Sequence, residues 1–293
     1  MNKDDKKIGL VYGIATFMMW GMFPVFFKLL NSVSAVEILA HRFLWSVFFV
    51  LIFLKIQGKT RNLKRYILNT KTFLTLTACG CFISINWGIY IYAVNSNQIL
   101  EASLGYFINP LMFIILGAVF LKEKTSKIEK IAIFLVVCAI AIQIVNLGNL
   151  PIISIFLPLA FSIYGLIKKQ IAIPALEGLF CETLVLAFVA LCYISFLGIS
   201  EVGSFGFNKL GFILIIAGLV TVLPLITFNL ASKKLNFSTI GYLQYISPTL
   251  TTILAVFVYK EDINAAKILS FAIIWVGLFL IGVDSYLKGK KNV

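Results

Sequence analysis

The chain reads as an all-α membrane protein, with ten transmembrane helices arranged as a 5+5 inverted repeat. Three observations predict this. Apolar runs of about twenty residues follow one another almost without pause, the length a helix needs to cross a bilayer. The basic residues between those runs are abundant in alternate loops, as they are where loops alternate between the two sides of a membrane. An apolar segment with a proline near its middle returns 138 positions further on. Of the 293 residues, 60% are hydrophobic and 13% charged, with a mean hydropathy of +1.00, so no long soluble domain fits between the runs. The runs are continuous rather than alternating, which excludes the strands of a membrane barrel.

In order, spans are expected at 8–30, 35–55, 73–93, 99–121 and 127–146, then at 151–168, 177–198, 210–231, 238–259 and 265–286. The basic opening MNKDDKK resembles the start of a signal peptide. The run behind it lacks a small-x-small cleavage site, so it is read as a retained first span. With the N-terminus inside, twenty Lys and Arg residues fall on the cytoplasmic side. Four (Lys28, Lys209, Lys260 and Lys267) fall outside, and Arg42 alone lies within a span. Both termini are therefore expected in the cytoplasm. The net charge of +13 is then loop charge facing anionic lipid, and no nucleic-acid partner is expected. All five cysteines sit in apolar runs, as reduced thiols rather than disulfides or metal ligands.

The repeat sets EASLGYFINPLMFIILGAVFLKE (101–123) against TIGYLQYISPTLTTILAVFVYKE (239–261), so Pro110 maps to Pro248, Lys122 to Lys260 and Glu123 to Glu261. Gly80 and Gly218 match at the same offset. The first two helices of each half align at an offset of 140, pairing Lys28 with Lys168, Glu37 with Glu177 and Arg42 with Glu182. Five spans separate the partners, and an odd number reverses orientation. The two repeats are placed at residues 1–147 and 148–293.

Proline inside a helix frees the carbonyl four residues earlier, here those of Tyr106 and Gln244. Freed carbonyls at membrane depth need protein or a polar cavity to receive them. A cavity between the two proline-broken helices is therefore expected, bordered by Ser103, Tyr106, Asn109 and Pro110 on one side and by Gln244 and Pro248 on the other. Trp20, Asn86, Trp87, Tyr90, Tyr164, Asn229, Tyr242 and Tyr245 are candidates to line it with aromatic faces and a few polar tips, and each could equally be a packing residue. The Lys-Glu pairs at 122–123 and 260–261 are read as helix-end anchors.

Ionisable groups within spans are costly and face a partner or a water-filled path. Arg42 is expected to pair with Glu101, or alternatively Glu37. A direct bond to Glu182 is excluded because their depths differ by roughly 10 Å. Two charge clusters flanking the cavity as gates are expected, drawn from Lys28, Glu37, Arg42 and Glu101 outside and from Lys168, Glu177 and Glu182 inside. Alternatively these pairs only lock helices together. His41, one turn after Glu37, is a candidate for proton coupling or for helix packing. No zinc, nucleophile-elbow or phosphate-loop motif is present, so neither an enzyme nor any cofactor or metal is expected.

The segments WGMFPVFFK (20–28), EILAHRFLWS (37–46), EASLGYFINPL (101–111), YGLIKK (164–169), Glu182-Thr183, TVLPLITF (221–228) and IGYLQYISPT (240–249) resemble the RarD branch of the EamA family, within the drug/metabolite transporter superfamily. The resemblance covers almost the whole chain; one departure is the Lys-Lys of YGLIKK, where relatives tend to have Arg-Lys. It implies a five-plus-five fold in a bacterial inner membrane, with helices one to four and six to nine around the cavity. The expected function is secondary transport of a small metabolite or drug by alternating access. The expected partners are that substrate and the lipid bilayer, with a homodimer left open. The alternative from another class is a membrane receptor or assembly protein without transport activity.

Overall fold

The computed structural model describes residues 3–122, 124–148, 150–171, 173–235, 239–240 and 243–291. These form twelve helices. They are α1 (Lys3–Gly21), α2 (Phe23–Lys28), α3 (Ala35–Ile56), α4 (Thr60–Leu68), α5 (Thr70–Asn95), α6 (Ile99–Phe120), α7 (Lys127–Leu147), α8 (Ile152–Lys169), α9 (Ala175–Ile199), α10 (Lys209–Ser232), α11 (Ile246–Ile253) and α12 (Ala265–Lys291). A π turn, Leu254–Val258, extends α11. No strand occurs among the described residues. Eight helices are long and apolar enough to cross a membrane, α1 and α2 together making one of them; α8 and the α11 segment are shorter apolar helices.

Polar side chains cap the starts of several helices. Ser34 accepts from the Glu37 amide at the head of α3, Asn69 from Thr72 at α5 and Asn208 from Gly211 at α10. Ser126 and Glu129 form a reciprocal capping box on α7, which ends on Gly148 in the left-handed region at φ +69°. The first span breaks at Met22, because Pro24 cannot donate into the preceding turn. Helix α4 was read from the sequence as loop. It is a short amphipathic helix whose Leu63 is buried while Arg61, Lys64 and Arg65 face outward.

The two proline segments differ from expectation and from each other. Helix α6 runs unbroken through Pro110. Its counterpart turns at Gln244 and Tyr245 and starts afresh at Ile246, so Pro248 lies in a first turn, where its missing N–H costs nothing. A lysine follows the end of both segments. Lys122 and Lys260 adopt left-handed backbone, with φ +55° and +56°. Glu261 then accepts the amides of Ile99 (2.7 Å) and Leu100 (2.8 Å), capping α6 from the connection between α11 and α12. Glu123 lies outside the described residues.

Helix α3 packs on α9 and α10, α5 on α8 and α9, α1 on α10 and α11, α6 on α8 and α11, and α7 on α12. Two of these crossings are closed by glycine. A Cβ on Gly80 would stand 2.1 Å from the Glu182 carbonyl oxygen, and one on Gly218 would stand 2.4 Å from Trp45 Cβ. Alanine at either site should cost about 1–3 kcal/mol or more through overpacking. In thermal melts of detergent-solubilised protein, Gly80→Ala and Gly218→Ala should lower the transition by several degrees. Gly198→Ala, where a Cβ meets nothing within 4 Å, should leave it unchanged or raise it slightly.

Candidate functional site

The break between α1 and α2 sets the site. Phe23 and Phe27 stand one turn apart on the short α2 and share a face. That face covers Arg42 of α3. The guanidinium carbon lies 5.8 Å from the Phe23 ring centre, 5.1 Å from Phe27 and 4.2 Å from Trp87 of α5. Arg42 is 2% exposed, and its Nε donates to Thr221 Oγ1 on α10 at 3.0 Å. Tyr90 packs on both phenylalanines and on Tyr106, with both tyrosines within electrostatic reach of the guanidinium. The Tyr106 hydroxyl points at Asn86 Oδ1 (3.5 Å), and Asn86 in turn donates to the Leu157 carbonyl at 2.8 Å. Thr251 of α11 bonds Tyr90 and donates to the Gly21 carbonyl at 3.4 Å, tying the cage to the helix break. Five helical segments thus converge on one buried cation with aromatic walls.

Of the residues selected from the sequence, Arg42, Asn86, Trp87, Tyr90 and Tyr106 meet here. Phe23, Phe27, Thr221 and Thr251 were not selected. The available signal was the i, i+4 aromatic pair flanking Pro24, and that Thr221 lies one turn after Gly218.

The expected partner of Arg42 is corrected. No carboxylate lies within ion-pair distance of it among the described residues; the ion pair found is Lys168 with Glu182. Glu101 is on α6, which packs on α8 and α11 and has no substantial contact with α3. It borders a small hollow with Gln143, Ser154 and Lys267, and Lys267 is its cationic neighbour. Glu37 accepts the Ser204 amide at 2.6 Å and pins the α9–α10 loop.

A second polar cluster surrounds Glu182 on α9. The carboxylate is fully buried, ion-paired with Lys168 of α8 and 3.3 Å from the Tyr164 hydroxyl that donates to it. Glu177 is buried one turn earlier on α9. Gly178 leaves the space that Lys168 Nζ fills. Lys28 bonds Asn97 and stands 5.4 Å from the Tyr259 ring centre at the other end of the bundle.

Between the proline helices the structure shows direct contact. One cavity, of about 410 Å³, lies against α7 and Ala266, and a small hollow lies beside Glu101. Helices α6 and α11 touch directly. Ser103 donates to the Pro248 carbonyl (2.7 Å) and meets Thr252 Oγ1 at 2.7 Å, while Phe107 stacks on Tyr245 with ring centres 6.4 Å apart. Asn109 is buried with its Oδ1 unpaired, and Gln244 is exposed. Trp20 lies apart, against Phe17 and Phe228, and Asn229 is half-buried on α10. His41 is buried beneath Phe205 and accepts from the Trp45 indole at 3.2 Å, its Nε2 unpaired. Tyr242 lies outside the described residues.

Comparison with known proteins places this architecture. The profile of the EamA-like transporter family matches residues 7–145 and again 150–283. The chain is 40% identical to protein RarD of Salmonella typhi over 294 residues, covering both chains completely, and 39% identical to protein RarD of Escherichia coli K12. The chain belongs to the EamA-like transporter family, in its RarD branch. This EamA-like chain is also 38% identical to an uncharacterized transporter, YojE, of Bacillus subtilis, over 99% of its length and 98% of that protein's. A crystal structure with 17% identity shares the fold at a TM-score of 0.61, covering 94% of this chain and 97% of the other. The protein is a multi-pass membrane transporter.

Removing one partner of a buried ion pair strands the other, at about 3–5 kcal/mol. In this transporter Lys168→Met alone and Glu182→Gln alone should each lower the thermal transition markedly. The double variant should recover part of the loss, read as a coupling energy from the four melting curves.

Proposed function

We propose that the chain is a secondary transporter of the bacterial inner membrane, with both termini cytoplasmic, that carries a small metabolite or drug by alternating access. Its two five-helix halves, 1–147 and 148–293, rock against each other around the buried cage. The observation that carries this reading is that the strong helix contacts keep their pattern when the halves are exchanged. The contact of α1 with α10 becomes that of α8 with α5; α3 with α10 becomes α9 with α5; and α6 with α8 becomes α11 with α1. The pairs α3–α9, α6–α11 and α7–α12 map onto themselves.

Individual residues support the same exchange. Ser270 donates to the Ala139 carbonyl at 3.1 Å, and Gly277 approaches Ala132 with a Cβ distance of 3.6 Å. At an offset of 138, each of these contacts is the image of the other. Phe107 and Tyr245, which stack, are each other's images, as residues beside a two-fold axis must be. A site near such an axis, reached alternately from either side, is the arrangement that inverted-repeat transporters use. Relatives of comparable length bear transporter names, and one from Pseudomonas aeruginosa, 25% identical, is named a chloramphenicol-sensitive protein, which makes a drug-like substrate worth including in any panel.

In reconstituted vesicles, counterflow across a panel of labelled metabolites and drugs should be saturable for at least one compound. Absence of flux across the panel with folded protein would return the receptor reading. In a cysteine-free background, a cysteine at Glu201 should label from outside the cell and one at Asn69 only after permeabilisation; the reverse pattern would overturn the orientation.

A further inference from the structure

Arg42 is buried deeply without a counter-ion. Its guanidinium stays protonated in proteins, and an ion sheltered from water within a span ordinarily pairs with an opposite charge. The carboxylates that could supply one are engaged elsewhere. Glu182, its counterpart in the alignment of the halves, is held by Lys168; Glu37 holds the Ser204 amide; Glu101 faces Lys267. Trp87, Phe27 and Phe23 cover the guanidinium within cation–π range and offset part of the burial cost, but rings offer nothing to N–H groups lying in the guanidinium plane. Thr221 takes the Nε proton. The two terminal nitrogens find no protein acceptor among the described residues.

We propose that Arg42 is the anchor for an anionic group of the substrate, and that the chain carries small organic monoanions with a carboxylate on a flat apolar body. The two terminal nitrogens, without a hydrogen bond among the described residues, suit bidentate contact with a carboxylate. One buried cation balances one negative charge, so a monoanion fits better than a phosphate dianion. The surrounding walls of Phe23, Phe27, Trp87 and Tyr90 favour an aromatic or similarly apolar body, and the Tyr90 and Tyr106 hydroxyls add polar tips. The proposal rests on the transporter reading above, and its experiment separates the two.

The test compares phenylacetate with phenylacetamide, which have the same shape and differ in charge, on the full-length protein in detergent. Phenylacetate should raise the melting temperature saturably and phenylacetamide should not. Arg42→Gln should weaken the phenylacetate response by about thirtyfold or more, as expected when one member of a buried charged pair is lost. If that variant does not fold, the comparison of the two compounds on the unaltered protein decides alone. Equal stabilisation by both compounds, stabilisation by the amide alone, or no response to either overturns the anchor. Stabilisation by phenylacetate without counterflow of any compound keeps the anchor and removes the transporter reading. Counterflow restricted to neutral compounds does the opposite.

Discussion

In hydrocarbon a helix gains little by hiding apolar surface from lipid that is equally apolar, so this bundle depends on how closely its backbones approach. Gly80 and Gly218 provide that approach. Without side chains, they admit the Glu182 carbonyl and the Trp45 backbone to within distances that a methyl group would forbid. The consequence reaches the site directly. Thr221 stands one turn beyond Gly218 on the face that α10 presents to α3, which is why its hydroxyl meets Arg42 Nε. Gly80, on the opposite crossing, meets Glu182 through its backbone, so that residue's carboxylate is turned toward Lys168 and Tyr164 instead. The two glycines therefore settle which buried charge acquires a protein partner.

Charge within the bilayer follows the same geometry. The Lys168–Glu182 pair is completed by a tyrosine hydroxyl, and such a set breaks at a cost far larger than the pair's own net worth. Glu261, within electrostatic reach of Lys28, satisfies two amides at the start of α6, which would otherwise face the membrane boundary unpaired. The left-handed lysine before it is what lets the chain double back. Lys122 adopts the same conformation in the other half, so the two lysines end their helices in the same way.

Helix positions were largely legible because hydrocarbon thickness imposes a length on each apolar run. The partner of Arg42 was not legible. Depth along a helix can be read from residue counts, but which helices are neighbours cannot, and α3 turns out to lie beside α9 and α10 rather than α6. The aromatic cage escaped for a related reason. Among 27 phenylalanines nothing in the sequence separates Phe23 and Phe27 from lipid-facing rings until Pro24 is seen to break the helix just ahead of them. Pro110 was overread, since a proline can be carried within an otherwise continuous helix when its neighbours pack tightly, as Gly105 does against Ser154 and Pro158.

The departures from symmetry bear on mechanism more than the symmetry does. If both halves had the same conformation, the two ends of the molecule would be equivalent and neither side would have preferential access. Here α6 passes straight through its proline, whereas α11 restarts beside its own and ends in a π turn, a feature frequent at functional sites. On the transporter reading, one conformation belongs to each repeat in this state, and exchange of the two conformations between repeats would generate the opposite state. Between α6 and α11 the Ser103 and Thr252 hydroxyls meet each other and both donate to the Pro248 carbonyl. Arg42 lies on α3, but Tyr106 of α6 and Thr251 of α11 belong to its cage, so on that reading a change in either helix is felt at the guanidinium.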